Sequence, residues 1–421
     1  MATLPPPPPA RRLAGEVRAD CAVLGAGFTG LAVARRLATA APELTVALVD
    51  AQRAGDGASG RSSGFLVALA HFIARMEFAA SQKYVALSRA GIGALRALVA
   101  ERGIDCAWDE RGWIHAAAGE AAAGELPRLR AWLDRLGEPY EPLDARALAA
   151  ITGSGFYRTG LRLPGSVLVQ PAALARGLAA ALPDNVTLYE ESPIRGLVRL
   201  PGAGWRLEAP HGSIVAGRLF VAANGYAPAL GILADRVLPL LTFGALTRRL
   251  TDGEQRRLWG EREWGLLAED AMGSSVRRTR DQRILIRNTV RYDPAFAVPP
   301  SALAGARANH ARAFLARFPG LAGVDVEHTW SGVMGTSPNR GHSFGEIERD
   351  LFAAAGYTGA GIAMGTTAGT LLAELALGIG SPGLDDMLAL PAPARLPPRP
   401  FLDWGARWKV ARMNAAAGPA L

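Results

Sequence analysis

The chain has 421 residues, of which 49% are hydrophobic and 20% charged, proportions that exclude a disordered chain and allow a large core shared between two domains. The formal net charge is +8, and Lys83 and Lys409 are its only lysines; the arginines are spread along the chain with no basic run interleaved with aromatics, which excludes a dedicated nucleic-acid-binding protein. Cys21 and Cys106 lie far apart with no C-x-x-C spacing, so a dithiol reductase and a cysteine metal ribbon are excluded and both thiols are expected in the core.

Residues 1–16, MATLPPPPPARRLAGE, lack the apolar centre of a signal peptide, and Pro5 to Pro9 predict a stiff, exposed, disordered tail. No stretch of about 18 uncharged apolar residues occurs, so no membrane span is expected and the protein is read as cytoplasmic. From Asp20, CAVLGAGFTGLAVARRLATAAPELTVALVD reads as strand, glycine turn, helix and second buried strand, a βαβ unit. Residues 76–135 are mainly helical in pattern, broken by the strand-like CAWDERGWIHAA. QPAALARGLAAAL then reads as a helix, VTLYEESPI as a strand and RLFVAANG as a further buried strand. Residues 236–328 are rich in strands, RILIRNTVRY among them, and carry a helix at 301–317. DLFAAAGYTGAGIAMGTTAGTLLAELALG repeats the order strand, glycine turn, helix. After a proline linker, a short helix bearing Trp404 and Trp408 either packs on the body or touches a partner.

Two strand–glycine turn–helix units at opposite ends of one chain predict an α/β nucleotide-binding domain, α+β overall, interrupted by a second domain with a mixed or antiparallel sheet and helices. The expected division is 17–75, 150–235 and 329–385 for cofactor binding, 76–149 and 236–328 for substrate, and 386–421 as linker and helix.

Gly25-x-Gly27-x-x-Gly30 follows a strand and opens a helix, where unpaired N–H groups and the helix dipole favour a pyrophosphate. Asp50 ends the second strand 20 residues after Gly30, at the place where a carboxylate accepts hydrogen bonds from an adenosine ribose. The fingerprint does not separate NAD from FAD. Two further segments bear on that choice. GDGASGRSSGF offers Ser59, Arg61, Ser62, Ser63 and Gly64 to phosphate and ribityl groups, unless it is a solvated flexible loop. GYTGAGIAMG places Gly356, Gly359 and Gly361 before a second helix, whose positive end can face the flavin N1–C2=O edge.

On these residues the chain resembles the glycine and D-amino acid oxidase superfamily of FAD enzymes, and within it the gamma-glutamylputrescine oxidase-like branch. GAGFTG with Asp50, GASGRSSGF, RLFVAANGY, TWSGVMGTSPNRGHSFG and GYTGAGIAMGTTAG carry the resemblance over residues 18 to 380. It implies a Rossmann-like FAD-binding domain roofed by a mixed sheet, and oxidation of the C–N bond of a small primary or secondary amine to an imine that hydrolyses. It also implies FAD contacts at Phe28, Thr29, Ile194, Ala223, Gly332, Ile362, Ala363 and Met364. Attachment of FAD is expected to be non-covalent, since the positions used by covalent relatives are Arg61 and Gly332 here.

Departures from the family pattern narrow the expectation. Amino-acid oxidases of the superfamily present an arginine to the substrate carboxylate two residues after Trp-x-Gly; after Trp330-Ser331-Gly332 that place is Met334, and a thioether cannot neutralise an anion. Asn339 and Arg340 match an Asn-Arg pair of the polyamine-like branch, with Arg340 open to an anionic tail, a flavin oxygen or a loop tie. Leu285 stands where sarcosine oxidase relatives place a lysine that helps reduce oxygen, so the acceptor is oxygen or another carrier, with Arg287 or a histidine as a possible substitute. An amino-acid or N-methylamino-acid substrate held by Arg278 or Arg287 is the alternative, and a flavin-carrying subunit without turnover is a third reading. Candidate proton acceptors are His71, His115 and His342, each open to a structural role. No metal cluster, nucleophile elbow or H-E-x-x-H motif is present.

Overall fold

The computed structural model describes residues 3–202, 204–269 and 273–416. The apolar runs at the ends of strands Gly15–Leu24 and Leu351–Ala355, and all of Val46–Val49, are buried on both faces, the pattern of parallel strands covered on two sides. Gly15–Leu24 pairs in parallel with Gly212–Val221 on one side and Val46–Val49 on the other, and the latter pairs in parallel with Val186–Tyr189. Leu351–Ala355 adds in parallel to the far side of Gly212–Val221, with Ser343–Glu348 antiparallel at the edge. VTLYEESPI is a strand only over Val186–Tyr189; the chain then turns, and Ile194 lies in the loop beside Asp50, whose carbonyl accepts from Ser192 N–H at 2.8 Å.

The helix Phe28–Ala40 leaves the C-terminal end of the first strand, and Ala363–Leu377 leaves that of Leu351–Ala355. They cross at small residues: a Cβ on Gly365 would meet Thr29 Oγ1 at 2.8 Å, and one on Gly369 would strike the Thr29 carbonyl. Thr29 Oγ1 donates to Tyr357 Oη at 3.1 Å across this seam. Both helices therefore begin at the carboxyl ends of parallel strands, where α/β sheets bind ligands.

A second sheet follows the order Val326–Thr336, Leu238–Thr247, Ile284–Arg291, Ser275–Arg278, Trp264–Ala268, Trp113–Ala117, Thr159–Leu163, Glu141–Asp144. Its pairs are antiparallel except Trp264–Ala268 with Trp113–Ala117. One face packs through Ile284 and Ile286 on the helix Pro300–Arg317. The other face turns toward the first sheet.

Several boundaries differ from expectation. Thr159–Leu163 and residues 329–336 of the strand Val326–Thr336 were expected with the cofactor-binding part but belong to the second sheet; hydrogen-bonded register, with Leu238–Thr247 following Val326–Thr336 almost end to end, decides membership, and local pattern does not carry it. The helix Phe78–Arg102, expected to cover substrate, packs on Ala363–Leu377, and Thr367 Oγ1 donates to Leu87 O at 2.7 Å. The proline tail is tied down over its described part: Arg176 donates to Pro5 O at 3.0 Å, Arg53 to Pro8 O at 3.2 Å, and Leu13 is buried. Cys21 and Cys106 are buried, and burial pushes both thiols up to about 11. The C-terminal helix Phe401–Ala416 packs on the body through Ala406 and Val410 against Val290 and Tyr292, with Tyr292 Oη donating to Asp403 at 2.6 Å.

Candidate active site

The glycine turn has little room for side chains. A Cβ on Gly30 would collide with the Gly25 carbonyl, and one on Gly27 would stand 2.7 Å from Ser59 Oγ. The helix Phe28–Ala40 has no side-chain cap at Gly27, and Phe28 N–H instead reaches Ser59 Oγ at 3.2 Å, which brings the serine loop over the helix N-terminus. Asp50 accepts from Ala26 N–H at 2.7 Å and Gln52 N–H at 2.8 Å, and burial raises its carboxyl above the ordinary range. Each carboxylate oxygen keeps a lone pair for a ribose hydroxyl. Ala363–Leu377 also starts without a side-chain cap at Ile362, so a second set of N–H donors opens near the same sheet edge. An uncapped cradle, a serine loop across it and a partly accessible carboxylate fit a dinucleotide.

Other expected contacts resolve differently. Ala223 follows the strand Gly212–Val221, and a Cβ on Gly25 would lie 3.3 Å from its amide nitrogen. Phe28, Ala363 and Met364 are core side chains and Thr29 is spent on Tyr357, so these four can offer backbone only. Arg61 donates to Asp56 O at 2.7 Å and to Ser331 O at 3.1 Å, tying the loop to the second sheet beside Gly332 rather than aiming at a phosphate. Ser62 Oγ accepts from Gly64 N–H at 3.4 Å. The Ser63 carbonyl accepts from Arg277 at 3.4 Å. Gly356 N–H donates to Asn224 at 3.0 Å, and a Cβ on Gly361 would lie 3.3 Å from the Tyr357 ring.

The face of the second sheet that looks toward this loop is fixed by three contacts: Trp330 Nε1 donates to Arg61 O at 2.9 Å, Arg277 reaches Ser63 O, and a Cβ on Gly265 would meet Phe65 at 2.7 Å. Register then places Trp330, Gly244, Arg287 and Ser275 in one row across that face. Leu285, Arg277 and Gly265 form the next row, and His115 faces the same way beside Leu267.

His71 meets this face from the loop after the serine segment. Its side chain is accessible to water although protein groups crowd around it. Burial, with the Arg287 guanidinium next in effect, pushes its pKa down to about 3, so the imidazole is neutral. A Cβ on Gly359 would stand 3.5 Å from Met334 Sδ and 3.9 Å from His71 Cε1. Arg287 is half-buried, burial lowers its pKa below the ordinary value, and its guanidinium has no hydrogen-bond or ion-pair partner among the described residues. Arg340, at φ +59°, lies 5.8 Å over the Phe72 ring, and its charge also bears on His71. Glu269 is bound to the buried His115.

Three expected residues stand elsewhere. Asn339 ties its turn to the 392–394 segment, donating to Ala392 O at 2.8 Å and accepting from Ala394 N–H at 2.9 Å. His342 is packed between Tyr84 and Tyr357 with its Nε2 buried and unpaired, and burial lowers its pKa to about 4. Arg278 points to the opposite face and is held by Gln282 and the carbonyls of Trp259 and Glu261. Its neighbour Arg277 was missed. Strand alternation puts one of the pair on each face, and sequence does not say which. The His115–Glu269 pair was also missed, because its partners join only through the parallel pairing of distant strands.

The family model described as DAO, FAD dependent oxidoreductase, matches residues 20–375. The chain is 30% identical to a probable oxidoreductase OrdL of Rhizobium meliloti, over 93% of this chain and 91% of that protein. It is 28% identical to the gamma-glutamylputrescine oxidoreductase of Escherichia coli, over 92% and 88% of the two chains. Among solved structures, the glycine oxidase of Geobacillus kaustophilus superposes with a TM-score of 0.72 at 24% identity, covering 87% of this chain and 96% of that one.

Proposed function

Since the chain belongs to the DAO family of FAD dependent oxidoreductases, we propose that it oxidises the C–N bond of a small amine that carries a carboxylate, with Arg287 as the receptor for that anion. The observation that carries this reading is Arg287 itself: a half-buried guanidinium on the inner sheet face with no protein partner among the described residues. A desolvated cation of this kind favours a planar anion, which it can bind with two parallel hydrogen bonds. The relatives named for gamma-glutamylputrescine and glycine support an amine bearing a carboxylate.

Bound FAD supplies the hydride acceptor. The chain's own residues bind and orient the substrate. Arg287 fixes the carboxylate, and the space between the sheet and Gly359 takes the carbon chain beside Met334. Neutral His71 offers a ring nitrogen as a hydrogen-bond acceptor to the amine, which binds after losing its proton to solvent, since an imidazole with a pKa lowered to about 3 is too weak a base to take it. Arg287 and Arg340 make the space electropositive and disfavour a second cationic centre, so a simple diamine is a poor substrate. Leu285, buried on the same face, puts no lysine ammonium there, which supports an electron acceptor other than oxygen.

Anaerobic bleaching of the flavin absorbance by a panel of diamines, their carboxylated derivatives, N-methyl amines and amino acids tests the proposal. Fastest bleaching by amines with a carboxylate supports it, and equal or faster bleaching by unmodified diamines overturns it. Readmitting air or adding a quinone then identifies the acceptor.

A further inference from the structure

The C-terminal helix Phe401–Ala416 buries Leu402, Ala406 and Val410 against the body and leaves Phe401, Trp404 and Trp408 62%, 63% and 61% exposed. At about 100° of rotation per residue, those three aromatics fall within an arc of roughly 60° on the outward side of the helix. Arg407 flanks one edge of this ridge, Lys409 the other, and Arg412 sits on its crest, 4.6 Å over the Trp408 ring. None of these three cations has an ion-pair partner among the described residues. The only acid of the helix, Asp403, is turned inward to Tyr292 and also pairs with Arg399 at 3.8 Å. The outward face is thus aromatic along its middle, cationic along its flanks and free of acidic groups.

We propose that this helix docks the protein on the surface of an anionic lipid bilayer, lying in the plane of the interface. Indole rings favour the headgroup boundary, and flanking arginine and lysine favour anionic lipid phosphates. The charge on the ridge decides among occupants. A second copy of the chain would bring the same uncompensated cations against each other, whereas an anionic headgroup layer neutralises them while the aromatics enter the apolar boundary. Insertion is shallow, since no single described helix is long and apolar enough to cross a membrane.

Flotation of the full-length, FAD-loaded protein with phosphatidylcholine vesicles, with and without phosphatidylglycerol, tests the proposal. Expected are co-flotation with the anionic vesicles, a blue shift of tryptophan emission and release by salt, with binding to neutral vesicles weaker by roughly tenfold or more. Trp404→Ser with Trp408→Ser should lower partitioning by at least about tenfold. Ala411→Glu with Ala415→Glu, which adds negative charge at exposed positions beside the ridge without touching a packed residue, should abolish it while flavin content and turnover stay unchanged. Equal binding to both vesicle types, or binding that survives the glutamates, overturns the proposal. So does a lipid-free dimer that depends on the two tryptophans, or preferential binding of single-stranded RNA.

Discussion

Arg287 and Trp330 are both cross-strand partners of Gly244, so a guanidinium and an indole flank a residue with no side chain. The Trp330 ring lies over Gly244, where a Cβ would be 2.9 Å from Cζ2, and its Nε1 is fixed on the Arg61 carbonyl at 2.9 Å. The row that presents Arg287 is thereby tied to the serine loop expected to carry the cofactor. If Arg287 holds the substrate as proposed, its binding and that of flavin are expected to be coupled through this one row of the sheet.

Replacing Arg287 by Gln should raise KM for a carboxylated amine by about 10- to 100-fold, the value of a charge-assisted hydrogen bond of roughly 1.5–3 kcal/mol. The amide of the same substrate should be almost unaffected. Steady-state kinetics on the acid and amide pair checks this; equal losses on both would assign Arg287 a structural role.

Trp330→Phe keeps the ring over Gly244 but removes the hydrogen bond to Arg61 O, at a cost of about 1 kcal/mol. Looser attachment of the serine loop should weaken FAD several-fold, read by flavin release during titration with urea. An unchanged FAD affinity would separate the loop from cofactor binding.

Asp50→Ala should reduce FAD affinity by at least about tenfold, because it removes the acceptor for ribose hydroxyls along with those for Ala26 and Gln52 N–H. The gain in Tm expected for the parent protein on adding FAD should shrink in the variant. The same gain in both proteins would count against this placement of the adenosine end.

Acid sensitivity follows from two buried histidines. Burial pushes His310 and His342 down to about 4, while in the unfolded chain each titrates near 6.5. Between those values the unfolded chain binds protons that the folded chain refuses, so stability is full above about pH 6.5 and falls as pH drops toward 4. His342→Phe keeps a ring between Tyr84 and Tyr357 and removes one such proton. The stability lost between pH 7 and pH 5, measured by urea unfolding, should be smaller in this variant by up to about 2 kcal/mol. Neutral His71, its pKa lowered to about 3, should give no ionisation in the activity profile above about pH 5.

Much of the cofactor half was legible in the sequence because its signals are local. Gly25, Gly27 and Gly30 lie within one turn of chain, Asp50 follows at the end of the next buried strand, and the apolar runs of parallel strands are continuous. The absence of an arginine at Met334 and of a lysine at Leu285 was equally visible, and both positions fall on the inner sheet face by register.

Tertiary structure decided what alternation and spacing leave open. Arg277 and Arg278 are adjacent in sequence, and only the pairing of their strand with Ile284–Arg291 and Trp264–Ala268 puts Arg277 behind the serine loop and Arg278 on the far side. His71, Met334 and Gly359 converge from three distant segments, while His342, no less suggestive in sequence, is sealed between two tyrosines. The physical reason is range: glycine turns and buried strands are set by backbone sterics and local burial, whereas the partners of a side chain, and so its charge, are set by which distant strands share a sheet.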